Sequence, residues 1–142
     1  MEHVWSVLCQ YLLISEQTRN PSLIEVVERL VFRPEGNEPF DYPIQLPVQL
    51  NLVSFWWRSR LENPEEGTVR IMIVDPNGTS SSNSNPIEYQ IDLSEHTRFR
   101  ATVVFTSIPF STTGVYRFNI EIDSNNAWVQ IGSVPIEIIL EN

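Results

Sequence analysis

The chain has 142 residues, and its 18 acidic side chains against 9 basic ones give a formal net charge of −9. Nucleic acids and anionic membranes attract basic protein surfaces, so this charge argues against both as partners. Hydrophobic residues make up 42% of the sequence, which predicts a folded chain with its own core, and the length suits a single domain over residues 1–142.

The only cysteine, Cys9, excludes an internal disulfide. It lies among apolar neighbours, which predicts a buried structural thiol rather than a nucleophile. The acidic start of the chain has no signal-peptide pattern, and the lack of disulfides is typical of reducing compartments. We therefore expect a cytoplasmic protein.

Apolar side chains occupy the odd positions from Trp5 to Leu13, and this period of two predicts a strand. The next run, residues 22–32, is ambiguous. Its apolar residues have helical spacing, and Ser22 with Glu25 fits a helix-capping box, but the run is rich in Ile and Val, which favour strands. The local pattern slightly favours a helix, whereas a family resemblance described below favours a strand.

A proline-rich segment, residues 33–45, predicts a loop, and the run that follows it changes its pattern midway. Apolar residues fall on even positions up to Leu52 and on odd positions from Val53 onward. A pleated strand changes parity only through an extra residue, so we predict a β-bulge at Leu52–Val53. With that bulge, Trp57 belongs to the core and Trp56 faces solvent.

Four further segments alternate between apolar and polar residues, which predicts strands with one wet face each. They are residues 68–75, 87–93, 99–105 and 116–122. Residues 128–140 predict one or two closing strands, in which Pro135 suits an edge or a bulge. Turn signals occur at residues 62–67, 75–78 and 123–126, and residues 79–85 have the composition of a flexible loop. About eight strands of this kind predict two antiparallel sheets packed face to face.

The segment Thr113-Gly114-Val115-Tyr116 resembles the start of strand F in immunoglobulin-like sandwiches, where the tyrosine closes a corner with nearby backbone. Phe118 stands where an antibody domain has its second cysteine, so the resemblance is to the wider group. The order of the runs LCQYLLI, PSLIEVVERL, PVQLNLVSFWW, VRIMIVDPNG and GVYRFNIEID is also similar to a family of small bacterial proteins of unknown function with a sandwich fold.

Together with the alternation, this resemblance implies an all-β, antiparallel, two-sheet immunoglobulin-like β-sandwich of about eight strands. It also implies a strand rather than a helix at residues 23–32. The resemblance supplies no catalytic residues.

Tryptophan and arginine are enriched at protein-binding hot spots, and the predicted bulge places Trp56, Arg58 and Arg60 on one wet face. We therefore predict a partner-binding surface at these three residues. Two simpler arrangements stay open. Arg58 can stack on Trp56 as an internal cation–π pair, or the 33–45 loop can cover Trp56.

Oxygen-bearing side chains in two predicted turns would suit calcium if both turns lie at one end of the sandwich. They are Asp75, Asn77, Asp123, Asn125 and Asn126. Aspartate and asparagine are also ordinary turn residues, which is the simpler interpretation. The two histidines, His3 and His96, have no metal-ligand spacing, so we expect neither a metal nor a cofactor.

The sequence has no motif of nucleophilic, nucleotide-dependent or metal-dependent catalysis, and no histidine stands in a hydrolase pattern with serine or cysteine. We therefore expect a non-enzymatic protein-interaction or assembly module that binds a protein partner or forms a homo-oligomer. The alternative is a small-ligand or calcium-binding sandwich that uses residues 75–79 and 123–126. An unrecognised enzyme would need a pocket lined by convergent polar groups.

Overall fold

The structure is a computed structural model that describes residues 1–34, 44–60, 62, 65–80 and 86–141. Within them the chain forms nine strands, where about eight were predicted, and the all-β prediction is confirmed. Their bounds are β1 Glu2–Ile14, β2 Pro21–Val26, β3 Arg29–Phe32, β4 Ile44–Trp57, β5 Glu66–Val74, β6 Ile87–Asp92, β7 Arg98–Phe110, β8 Gly114–Ser124 and β9 Ala127–Leu140. Among the described residues, no helix has the length and apolar character needed to cross a membrane.

The strands form two sheets. Sheet A has four strands in the order β2-β1-β4-β7, and sheet B has five in the order β3-β9-β8-β5-β6. All neighbours pair antiparallel except β3 and β9, which run parallel, so the prediction of purely antiparallel sheets is wrong at this edge. The physical reason is the path of the chain. Only two residues separate β2 from β3, and the chain uses them to cross to the other sheet instead of turning back in a hairpin.

The inner faces of the two sheets share one hydrophobic core. The Phe105 ring of β7 meets the Phe118 ring of β8 edge to face, with centroids 5.1 Å apart. The alternation predicted for β5 and β8 is confirmed, because the residues expected to point inward, such as Val69, Ile71 and Ile120, are buried. Full burial of a side chain of this size contributes about 1.5–3 kcal/mol, so this core is the main stabilising element of the fold.

Residues 22–32 are extended, as the family resemblance implied, but they form two strands in different sheets. Glu25, near the end of β2, has a φ of 54°, which interrupts regular strand geometry. The Val27 amide donates a 2.8 Å hydrogen bond to Leu8 O in sheet A. The Glu137 amide of β9 donates a 3.0 Å bond to Glu28 O. These two bonds attach the crossover to both sheets.

The predicted bulge at Leu52–Val53 is absent, and the two tryptophans are exchanged relative to the prediction. The register of β4 with β7 is continuous across this point, and the irregularity in their pairing lies earlier, between Pro47 and Leu50. Even-numbered residues therefore point inward up to the end of the strand. Trp56 is 0% exposed, and Trp57 is 40% exposed. The parity argument failed because both sides of this strand are apolar.

Two predicted turns are confirmed. In residues 75–78 the Gly78 amide donates a 2.9 Å hydrogen bond to Asp75 O, and Gly78 has a φ of 82°. The β8–β9 hairpin turns at Asn125 and Asn126, which have φ values of 52° and 64°. Positive φ at both central residues is what a two-residue hairpin loop of type I′ requires.

The predicted tyrosine corner is also formed. The Tyr116 hydroxyl donates a 2.8 Å hydrogen bond to Thr112 O and accepts bonds from the amides of Ser111, at 3.0 Å, and Thr112, at 3.3 Å. These bonds hold the turn that precedes β8. Most of the predicted loops at residues 33–45 and 79–85, together with Leu61, Asn63 and Pro64, lies outside the described residues.

Candidate binding surface

Sheet A has a second apolar surface on the side away from the core, which we call the outer face. Trp5 of β1 pairs with Phe55 of β4, and their rings stack with centroids 5.7 Å apart. The Phe55 ring lies 5.9 Å from the ring of Trp57, two residues further along the same strand. Aromatic side chains that are neighbours on one face of a sheet stabilise each other. We call these three rings the aromatic row.

Two arginines on β7 border the aromatic row. The register pairs Arg98 with Trp57 and Arg100 with Phe55, and cross-strand partners project from the same face of a sheet. Because the arginines are two residues apart in one strand, their Cα atoms are about 7 Å apart. The aromatic row therefore has a positively charged border where β7 forms the edge of sheet A.

A pocket of about 340 Å³ opens on the outer face, and we call it the arginine pocket. Its lining residues are Trp5, Arg19, Asn20, Pro21, Phe55, Arg98 and Arg100. It therefore brings together three parts of the chain that are distant in sequence: the aromatic row, the arginines of β7 and the turn between β1 and β2.

The lining of this pocket places the turn between β1 and β2 beside the outer face, so the β1–β2 hairpin curves toward that face. In a straight strand, Trp5 and Ile14 would lie about 30 Å apart, too far for Trp5 and the hairpin turn to line one pocket. The pairing of β1 with β4 ends at Cys9, opposite Asn51, and later residues of β1 pair only with β2. At this point the Asn51 side-chain amide donates a 2.7 Å hydrogen bond to Gln10 O, where a backbone ladder bond would otherwise lie.

Two outer-face side chains near the bend, Cys9 and Val53, are fully buried. Burial raises the pKa of the Cys9 thiol, which therefore stays protonated near neutral pH and is a weak nucleophile. The prediction of a buried thiol at this position is confirmed.

The turn between β1 and β2 holds Arg19 in a defined conformation. Arg19 has a φ of 62°, and its amide donates a 2.9 Å hydrogen bond to Ser15 O. The Ser15 amide donates to Asn20 O at 3.0 Å, and the hydroxyls of Ser15 and Thr18 accept bonds from the amides of Thr18 and Asn20. A loop ordered in this way lowers the entropy that a ligand must remove when it binds Arg19.

The arginine pocket concentrates unpaired positive charge in an acidic chain. Elsewhere in the structure three arginines form ion pairs with glutamates; they are Arg29, Arg33 and Arg70. In contrast, the side chains of Arg19, Arg98 and Arg100 make no hydrogen bond or ion pair with any described residue. Like charges that converge in a concave site attract anions. The pocket therefore offers positive charge beside aromatic surface.

The side of the hairpin that continues the outer face beyond Cys9 is apolar and exposed, and we call it the hairpin patch. Its side chains are neighbours across the two strands, since Tyr11 pairs with Ile24 and Val26 lies one pair further along the same side. Its members and their exposed fractions are Tyr11 47%, Leu13 58%, Ile24 39% and Val26 55%. Exposed apolar side chains that adjoin one another in this way mark interaction sites, whereas isolated ones are normal.

A match to a known family covers much of the structure that carries these features. Residues 42–138 match the sequence profile of one family. The chain belongs to DUF6941, a family of unknown function. The DUF6941 segment contains β4 to β8 and most of β9, including Phe55, Arg98 and Arg100, whereas the hairpin precedes it. No curated protein matches the chain.

We predicted an exposed tryptophan–arginine surface at Trp56, Arg58 and Arg60, and this prediction is wrong for Trp56. Trp56 lies in the core, where its ring contacts that of His3 with centroids 5.0 Å apart. Arg58 does not stack on it but donates from Nη1 to the backbone oxygens of Leu93 and Ser94, at 3.2 and 3.3 Å. The exposed ring of the pair is Trp57, and its arginine neighbour is on β7.

The two turns predicted to hold calcium lie at opposite ends of sheet B. Val74, next to Asp75, pairs with Arg117 near the start of β8, whereas Asp123 lies six residues further along that strand, about 20 Å away. One Asp75 carboxylate oxygen accepts bonds from the amides of Asn77 and Thr79, both at 2.9 Å, as in an ordinary turn. Asp75, Asn77 and Asp123 therefore cannot share one ion. No cluster of metal-ligating side chains is found among the described residues.

Sequence reasoning missed a polar cluster on the inner side of sheet A. His3 Nε2 and Ser6 Oγ are 2.7 Å apart, and Ser6 Oγ lies 2.7 Å from Ser54 Oγ. Ser54 reaches Ser6 only because β1 pairs with β4, so no sequence spacing could show the whole cluster. Burial lowers the pKa of His3 and keeps its ring neutral at pH 7, and Ser54 is fully buried. We interpret the cluster as structural, because its hydroxyls satisfy one another inside the fold.

Proposed function

We propose that this protein is a non-enzymatic interaction module that binds a protein partner through the hairpin patch. The observation that carries the proposal is the concentration of exposed apolar side chains on one hairpin. Of the twelve most exposed large hydrophobic residues in the described part of the chain, five lie between Tyr11 and Val26. A soluble surface gains nothing from such a cluster unless another surface covers it.

The patch is large enough to contribute to binding. Full burial of a large apolar side chain contributes about 1.5–3 kcal/mol, and each of the four patch residues is already about half buried. Covering them would therefore contribute roughly 3–6 kcal/mol before the cost of association is subtracted. Because association itself costs about 4 kcal/mol or more, a partner needs further contacts beside the patch. The neighbouring edge can supply them, since β2 pairs with β1 alone among the described strands and leaves backbone groups beside the patch for a partner strand.

The experiment compares two double variants of the full chain. Leu13→Thr with Val26→Thr makes the patch polar, and Val115→Thr with Val129→Thr changes two valines of sheet B that are 43% and 46% exposed. Threonine keeps the strand propensity of valine, so both proteins should fold. Light scattering over a range of concentrations reports self-association, and pull-downs with each variant as bait report other partners.

We expect association to be lost in the patch variant and kept in the sheet B variant. A loss of self-association would identify the partner as a second copy, and a loss of a captured protein would identify a different partner. Equal behaviour of the two variants would exclude the hairpin patch as the binding surface.

We also propose that the fold is a variant of the immunoglobulin-like sandwich. The Tyr116 corner precedes β8, as the tyrosine corner precedes strand F in immunoglobulin-like domains. The neighbouring strands β9, β8, β5 and β6 then correspond to strands G, F, C and C′ of variable-type domains, and β4 and β7 correspond to B and E. In this interpretation β1 is an added strand beside β4. Superposition of an experimental structure on immunoglobulin domains tests the assignment, which fails if these six strands do not superpose in the same chain order.

A further inference from the structure

We propose that the arginine pocket is a carboxylate-binding site, and that the carboxylate it takes is carried on a flat apolar body. This goes beyond the protein-binding function proposed above, because it depends on different residues and on charge.

The charge of the pocket comes from two elements that only the folded hairpin brings together. Arg19 approaches from the ordered turn, and Arg98 and Arg100 approach from β7. Guanidinium groups bind carboxylates through two parallel N–H···O bonds, which gives both strength and orientation. Asn20 adds a side-chain amide that can donate a further hydrogen bond, and no carboxylate is among the lining residues to repel an anion.

The aromatic lining favours a carboxylate on a flat body over a bare inorganic anion. Trp5 and Phe55 are both half-buried, and their rings are inclined by only 22° to one another. Together they form an apolar wall, on which a flat group can stack. Inorganic phosphate is small and strongly hydrated, so it would gain nothing from this wall. A volume of about 340 Å³ is at the lower end for ligand pockets. It therefore indicates a small ligand, or two adjacent side chains of a bound peptide.

This chemistry has two sources. One is a free aromatic acid, and the other is an acidic side chain beside an aromatic residue in a peptide. Both carry a carboxylate next to a flat apolar group.

Four probes separate these sources from simpler binding: naphthalene-2-carboxylate, its neutral carboxamide, the capped peptide acetyl-Glu-Phe-Glu-amide and inorganic phosphate. Calorimetry measures affinity, and NMR of the arginine Nε–H groups shows which guanidinium groups respond. The variants are Arg98→Gln and Arg100→Gln, and the matched control is Arg117→Gln. The Arg117 side chain is also exposed and makes no hydrogen bond or ion pair with a described residue, but it lies on β8 in the other sheet.

We expect saturable binding of the naphthoate, the peptide or both, weakened at least about tenfold by Arg98→Gln or Arg100→Gln and unchanged by Arg117→Gln. Binding of the naphthoate alone identifies a free acid as the ligand type, and binding of the peptide alone identifies a protein segment. If the carboxamide bound as tightly as the naphthoate, the charge of the ligand would be irrelevant. If phosphate bound more tightly than the naphthoate, the aromatic wall would be irrelevant. Equal weakening by Arg117→Gln, or no binding of either carboxylate probe, would also overturn the proposal.

The two proposals fail separately. The hairpin variant Leu13→Thr with Val26→Thr leaves the lining of the pocket intact and should bind the carboxylate probes normally. The arginine variants leave the hairpin patch intact, so their protein association reports on the patch alone.

Discussion

The exchange of the two adjacent tryptophans provides a quantitative test of how β4 is oriented. Trp56 is 0% exposed and Trp57 is 40% exposed. Truncation of a fully buried tryptophan costs about 3–5 kcal/mol, because it removes apolar burial and leaves a cavity. Truncation of Trp57 leaves no enclosed cavity, so only the transfer contribution of its buried part is lost, about 1–2 kcal/mol.

One feature of Trp56 lowers its expected value. Its buried Nε1 donor has only the Tyr89 hydroxyl near it, without a hydrogen bond of standard geometry among the described residues, and a poorly satisfied buried donor costs about 1–3 kcal/mol. Trp56→Ala removes this penalty with the ring, so we expect a loss near the lower end, about 3 kcal/mol. Trp56→Phe keeps a ring and removes the donor, and we expect it to cost about 1 kcal/mol or less.

Urea unfolding followed by circular dichroism measures the free energy of unfolding of the wild type and the three variants. We expect Trp56→Ala to be the least stable and Trp57→Ala to lie closer to the wild type. If Trp57→Ala were the more destabilising of the two, the orientation of β4 would be reversed. The aromatic row and the arginine pocket would then have no basis.

Two further predictions concern a buried imidazole and the tyrosine corner. Because burial lowers the pKa of His3, the unfolded chain takes up a proton at a higher pH than the folded chain does. The contribution of neutral His3 to the free energy of unfolding should therefore be fully present above pH 6.5 and decrease as the pH falls below that value. Urea midpoints measured across this range should show a smaller fall for His3→Gln, and an equal fall would assign the effect to other groups. Tyr116→Phe leaves the amides of Ser111 and Thr112 without their acceptor and should cost about 2 kcal/mol, whereas Tyr11→Phe, on the exposed hairpin, should be neutral by the same assay.

Much of the fold could be predicted because most strands have one apolar side. In β5 the alternation from Val69 to Ile73 leaves one pleat that can be buried, so its orientation follows from the residues themselves. Local chemistry was equally reliable at turns. Asn125 and Asn126 tolerate the positive φ of a tight hairpin, and the Tyr116 hydroxyl finds its partners within five residues.

The candidate site could not be predicted, because its parts meet only through long-range pairing. Arg19, Phe55 and Arg100 come from three elements, and no spacing in the sequence relates them. Their convergence depends on the bend of β1 after Cys9, where the strand leaves β4 and carries the hairpin turn back toward the aromatic row.

The sequence by itself determined the all-β class, most strand positions, the tight turns and the tyrosine corner, since each depends on a residue and its near neighbours. Only the tertiary structure decided which apolar side of β4 is the core, where residues 22–32 change sheets and which arginines converge. The physical reason is that the outward residues Val53, Phe55 and Trp57 are at least as apolar as Ser54 and Trp56, the inward residues between them. Alternation shows that a strand has two sides, but where both are apolar, only packing against the second sheet selects the one that becomes the interior.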